Sequence, residues 1–343
     1  MIGEDRAVRR GWRLPLFASL ALLAGLLLGA DRPASAERIS IAYQPIVNGP
    51  LWIARHEGYF DELGLEVEFI KFSSGPPQFA ALQGGRVDLA WGGMGTFLLA
   101  HANGAGLNWI ASVMDYNPLE ALVVPGPSPF RSVKELAGKS VGLVTGSDAQ
   151  YGILKALQLN GMAPDAVRIL NMQPPQQVQA LLNGDIDAAF TWSPFLNQLT
   201  DRGARTLFSN GQLPVGPAYL GWAGKKDWLD RNAGALVKLF KGWDKGLQKM
   251  REAPELAVKY SVEYVGIDPA QAKAMQDELR YFEAAAMLDP QSRVYWSRDS
   301  LLHGLLEDIV AYGMEYKLIK APVPVDEYVT TRFIEAYARQ AGK

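Results

Sequence analysis

Two acids and four strand-to-helix transitions carry what chemistry this sequence offers. Glu120 stands directly before the apolar run Ala121–Val124, and Asp148 opens a stretch of helical pattern. An acid beside a buried strand needs a partner, and two such acids together suit an ammonium group. The transitions are Gln44–Pro50, Gly92–Thr96, Thr145–Ala149 and Thr191–Pro194. Each offers free backbone N–H groups and the positive end of a helix dipole, which suits a small anion. The candidate ligand contacts are therefore Gln44, Gly93, Thr96, Glu120, Ser147, Asp148, Tyr151, Trp192 and Trp222. The last three belong to an aromatic set with Tyr43, Trp52 and Trp91, for which core packing is the competing role.

Signatures of catalysis are missing. The three histidines, His56, His101 and His303, are far apart and show no metal-ligand spacing. The chain has no cysteine, no Walker loop, no G-x-G-x-x-G and no G-x-S-x-G. We therefore assign no catalytic residue, no metal and no cofactor.

The elements that must position these residues centre on Phe79–Trp91, FAALQGGRVDLAW. This reads as the end of an amphipathic helix, a Gly84-Gly85 stop and a short buried strand. Thr96 then serves as the N-cap of a helix from about Phe97. The unit returns as Val178–Phe190, VQALLNGDIDAAF, at a constant offset of 99 residues, and Pro76 and Pro175 start the two helices. One duplication at this spacing points to two lobes of similar α/β build rather than a solenoid. Asp88 and Asp187 fall at matching places in the copies and read as structural turn residues, not as a catalytic pair.

Strand and helix patterns alternate through Val124, as in a parallel sheet covered by helices. Pro125–Pro129 reads as a crossing into a second lobe and Pro214–Pro217 as the return. Lobe 1 is then 37–124 plus 219–343, and lobe 2 is 125–218. Helical patterns over Asn232–Arg251, Pro254–Tyr264, Pro269–Phe282 and Arg298–Tyr312 are expected to pack back on lobe 1. The fold class is α/β and two-lobed, with a ligand cleft between the lobes where strand C-termini and helix N-termini meet.

Residues 1–36 read as a secretory signal peptide: a basic start of Arg6, Arg9, Arg10 and Arg13, the apolar run Leu14–Ala30, and an Ala34-Ser35-Ala36 cleavage site. Twin-arginine export is the less fitting version of the same address. A mature chain of about 300 residues suits two domains. The net charge of −2 shows no basic surplus for nucleic acid, and an exported chain without cysteine has neither disulfides nor a lipid anchor. The expected protein is periplasmic, soluble and monomeric.

The pieces Ile41–Gln44, Lys71–Gly75, Ala81–Asp88, Glu120–Val124, Ser132–Lys139, Leu170–Pro175 and Gly184–Asn197 resemble the periplasmic substrate-binding proteins of nitrate/sulfonate/taurine ABC transporters, the taurine-binding members above all. The resemblance runs from about Ile39 to the C-terminus. It implies a type II-like periplasmic binding protein fold that closes on a small sulfonate or amino-sulfonate and docks on permease subunits in the inner membrane. It also implies that Glu120 stands at the family's amine-binding acid, and Ser147 and Tyr151 at its anion loop. The chain departs from the taurine-binding pattern in three places. Met94-Gly95-Thr96 replaces a Leu-Gly and two serines, Asp148 replaces a loop threonine, and Leu220 replaces a second acid. These departures leave open a flat heterocyclic or amine cation, thiamine-precursor-like, held between Trp91 and Trp192. An enzyme of the same fold is the less fitting reading, since the related pyrimidine-forming enzymes use a cysteine-rich motif.

Overall fold

The computed structural model describes residues 36–342. The expected signal peptide, 1–36, lies outside them apart from Ala36. Eleven strands follow in chain order: β1 (Glu37–Tyr43), β2 (Leu65–Lys71), β3 (Leu89–Gly93), β4 (Leu107–Asp115), β5 (Glu120–Val124), β6 (Ser140–Leu143), β7 (Arg168–Asn171), β8 (Ala188–Trp192), β9 (Arg205–Ser209), β10 (Tyr219–Lys225) and β11 (Arg280–Tyr281). They form two sheets, ordered β11-β4-β10-β3-β1-β2 and β7-β6-β8-β5-β9. Helices cover both, giving two α/β lobes.

The repeated units build equivalent parts of the two sheets. Helix Gly75–Gln83 leads to β3 through Gly85 (φ 70°), and helix Pro174–Asn183 leads to β8 through Gly184 (φ 80°). Both turns need the left-handed backbone that glycine adopts at little cost. In each lobe a parallel core, β3-β1-β2 or β8-β6-β7, is then extended by an antiparallel strand next to the repeat strand.

That extension corrects the expected boundary. Glu120–Val124, placed at the end of lobe 1, pairs with β8 and β9 in the second sheet. Its partners come later in the chain, so pattern alone could not choose the sheet. The first crossing is accordingly Tyr116–Leu119, and Pro125–Pro129 is a loop of the second lobe. The return runs over 210–218, and β10 inserts antiparallel between β3 and β4 in the middle of the first sheet. The sheets are thus mixed, not wholly parallel.

The C-terminal helices close the first lobe. Ala233–Glu252 buries Leu236, Leu239, Phe240, Trp243 and Leu247 along one face. It crosses Gly49–His56 so closely that a Cβ on Gly246 would lie 2.2 Å from the carbonyl oxygen of Pro50. Gly58 (φ 72°) separates helix Gly49–His56 from the short helix Tyr59–Glu62. One helical expectation, Pro269–Phe282, ran too long. The Pro269 helix stops at Glu278, because Arg280–Tyr281 pairs with β4. Among the described residues, no helix is long and apolar enough to cross a membrane.

Candidate functional site

The C-terminal ends of β1, β3 and β8, the start of β5 and the start of helix Asp148–Leu159 converge between the lobes. They bring Gln44, Gly93, Thr96, Glu120, Ser147, Asp148 and Trp192 around one small void. Four residues outside the expected set, Ile46, Gly75, Tyr116 and Leu220, complete its wall. The void measures about 20 Å³, room for about one water. The lobes are therefore closed on each other here. A larger hollow of about 360 Å³, at Gly85, Lys225, Lys226 and Arg231, lies at the opposite end of β3, away from the converging strand ends.

Asp148 spans the gap. Its Oδ1 accepts the Thr96 N–H at 2.9 Å, its Oδ2 accepts the Thr96 hydroxyl at 3.1 Å, and its own N–H donates back to Thr96 Oγ1 at 3.2 Å. Thr96 is not the N-cap that its sequence position suggested. The helix starts at Met94, so Thr96 lies in its first turn, with N–H and hydroxyl both turned to the other lobe. The carboxylate fits because Gly93 and Gly95 lack side chains. A Cβ would stand 1.8 Å from Oδ2 at Gly93 and 2.5 Å from Oδ1 at Gly95.

Glu120 is the second buried acid, 5% exposed. Asn210 donates to its Oε2 at 2.7 Å, the one hydrogen bond its side chain makes among the described residues. Burial, and then the charge of Asp148, push its carboxyl well above the usual carboxylate range; the Asn210 bond opposes this only partly. Burial also raises Asp148, to about 7, against the bonds from Thr96. Two donors of Thr96 face the Asp148 carboxylate, and one of Asn210 faces Glu120. No Arg, Lys or His lines the void. An ammonium would find two acceptors here and an oxyanion no counter-charge.

Other expected residues have different partners. The Ser147 hydroxyl turns back to the carbonyl of Val144 at 2.7 Å. Tyr151 does not line the void; its phenol donates to Asp308, which also pairs with Lys155 at 2.8 Å. Both contacts join the second lobe to helix Leu301–Glu315, packed on the first. Trp222 is fully buried opposite Trp91 in the first sheet, edge-on to Trp243 at 5.3 Å. Tyr43 and Trp52 pack on each other. Of the six aromatics, only Trp192 reaches the void. Tyr116, missed in the sequence, lies at the first crossing and donates to the carbonyl of Ser193 at 2.7 Å. A tyrosine between two apolar strands carries no local signal of that role.

Two α/β lobes joined by two crossings, with converging strand ends around a closed cleft, define a protein of the periplasmic binding protein fold. The chain belongs to the NMT1/THI5 like family, whose model matches residues 47–257. It is 30% identical over 222 residues to the taurine-binding periplasmic protein of Escherichia coli, covering 64% of this chain and 68% of that protein. It is 30% identical over 205 residues to a Bacillus subtilis protein provisionally named as aliphatic sulfonates-binding, covering 57% of this chain and 61% of that one, less than two thirds of its length. In fold it resembles the alkanesulfonate-binding protein SsuA from Xanthomonas axonopodis pv. citri, bound to MOPS, with a TM-score of 0.75 and 21% identity over 87% of this chain and 99% of that one. The desulfurization enzyme DSZB has the same fold, with a TM-score of 0.65 and 16% identity over 89% and 99% of the two chains.

Proposed function

We propose that this chain is the substrate-binding component of an ABC importer, and that its ligand is small and carries an amine. The likeness to a periplasmic taurine-binding protein and to sulfonate-binding proteins supports the importer class. The ligand class rests on one observation: Glu120, buried and with a single hydrogen bond, lines an interlobe void that holds no cationic side chain. Gln44, Gly93, Thr96, Asp148 and Trp192 form the rest of the contact surface, and Ser147 holds its loop. Tyr151 and Trp222 support the site without touching the ligand. Amino-sulfonates of the taurine kind and organic amines without an acid both belong to this class.

The protein acts in the periplasm as a monomer, its leader removed, and hinges at Tyr116–Leu119 and 210–218. Ligand enters an opened cleft and favours closure by its greater affinity for the closed form. The permease then reads the closed form. Thermal shift with a panel of sulfonates, amino-sulfonates and amines tests the reading, since bound ligand raises the melting temperature. Glu120→Gln should weaken the best ligand about tenfold or more, the loss of one charge-assisted hydrogen bond. A best ligand without an amine, bound equally by the variant, would refute the proposal.

A further inference from the structure

We propose that Asp148 takes the place of the ligand's acidic group, so that this site selects a small organic monocation, an ammonium or amidinium with no acid of its own. The inference rests on the amine-binding reading of Glu120 and narrows it. Its basis is the seat of the Asp148 carboxylate. Both oxygens accept from Thr96, one from the N–H and one from the hydroxyl. These are the donors an incoming sulfonate or carboxylate would need in the first turn of that helix. Gly93 and Gly95 give the carboxylate its room, and the space a Cβ would fill at either glycine is already occupied by its oxygens. The cradle therefore accommodates Asp148 or a ligand oxyanion, but not both.

Charge agrees with this. A ligand acid would enter a void walled by two carboxyl groups and by no Arg, Lys or His. Burial already disfavours the ionised form of both acids, and a ligand acid would add a further negative charge to the same buried site. The remaining space, about 20 Å³, holds about one water-sized group, so any organic ligand needs the cleft to open, and selection rests on the Thr96 cradle that Asp148 already fills. The head would lie between the free Oε1 of Glu120 and Asp148. Trp192, 4% exposed and on the same wall, offers an aromatic surface to the cation or its carbon chain.

Calorimetry on the full mature chain tests the assignment with three matched probes: propylamine, taurine and ethanesulfonate. The parent should bind propylamine at least about tenfold more tightly than taurine, and ethanesulfonate not at all. Asp148→Thr empties the cradle while leaving a hydroxyl beside Thr96. It should gain about tenfold or more for taurine and lose affinity for propylamine. Asp148→Asn, which keeps shape and removes charge, should weaken propylamine without creating a taurine site. Melting curves of both variants establish that they fold. Taurine bound by the parent more tightly than propylamine, or no gain of taurine in Asp148→Thr, overturns the inference. If Glu120→Gln nevertheless weakens taurine, the amine-binding reading survives that loss. If the parent binds none of the amines and Glu120→Gln changes nothing, both readings fall.

Discussion

Asp187 accepts both the backbone N–H and the hydroxyl of Ser140 through one oxygen, each at 2.8 Å. Asp88 does the same to Ser40 in the other lobe, at the same two distances. Each aspartate thereby locks the repeat strand to its parallel neighbour, β3 to β1 and β8 to β6. Asp187 is partly buried, which raises its carboxyl, but the two Ser140 bonds outweigh this, with help from Lys139 and Arg168, and hold it below its ordinary value. A lowered carboxyl contributes stability that is present above the unfolded pKa and lost as pH falls through the folded one. Asp187→Ala should therefore cost about 1–3 kcal/mol at neutral pH, and the difference from the parent should shrink below about pH 4. Urea unfolding at pH 7 and pH 3 measures both. A constant difference would mean that the charge is immaterial.

Asn117 ties the two crossings together. Its Oδ1 accepts the Ala218 N–H at 2.9 Å, and its Nδ2 donates to Asp115 at 2.8 Å. Asn117→Ala leaves the buried Ala218 N–H unsatisfied and takes one of two bonds from Asp115 Oδ1, which keeps the backbone N–H of residue 117, so it should cost about 1–3 kcal/mol. Gly216→Ala should be of similar severity, since its Cβ would lie 2.1 Å from Asn117 Oδ1. Chemical denaturation of each variant provides the check, and a neutral Gly216→Ala would mean that the crossings are looser than drawn here.

Asp308 anchors closure at the rim of the cleft, holding Tyr151 and Lys155 from the other lobe. Asp308→Ala should shift the ligand-free protein toward the open form and reduce apparent affinity by the fraction of closed form lost. Small-angle scattering should show a larger radius for the variant without ligand and the parent's radius at saturation. Equal radii without ligand would remove Asp308 from the closing mechanism.

The paired acids make stability and binding depend on pH in the opposite sense to Asp187. Burial raises Glu120 well above its ordinary value and Asp148 to about 7. Between the unfolded and folded pKa values the folded chain binds more protons than the unfolded chain, so stability declines as pH rises through that window and levels off above it. A bound ammonium favours the ionised acids. Amine binding should release protons below about pH 7 and tighten as pH rises toward it. Calorimetry in buffers of different ionisation enthalpy reads the release, and Glu120→Gln should diminish it. Proton uptake would contradict the assignment.

Trp192 should carry any fluorescence response to ligand, because Trp91 and Trp222 are sealed in the first lobe. Trp192→Phe should abolish the change, and Trp222→Phe should leave it in place while lowering the melting temperature, as a reduced core side chain does. A response surviving in Trp192→Phe would place the sensing tryptophan elsewhere.

The sequence by itself determined the units and their likeness. Gly85 and Gly184 mark helix ends because only a left-handed residue turns there, and the apolar runs after them can only be buried strands. These signals are local, held within a dozen residues, so they survive without a structure. The strand-to-helix caps that became the cleft wall were legible for the same reason, as were Glu120, an acid directly before an apolar strand, and Asp148, an acid opening a helix. Only the tertiary structure decided where strands of unlike origin meet. It put β5 with β8 and β9, β10 between β3 and β4, Tyr116 on the cleft wall, and Trp222 in the core. It also made Asp148 the partner of Thr96 in the other lobe. Those outcomes depend on hydrogen-bond partners from about 50 to about 135 residues apart, chosen by global packing rather than by anything the neighbouring residues encode.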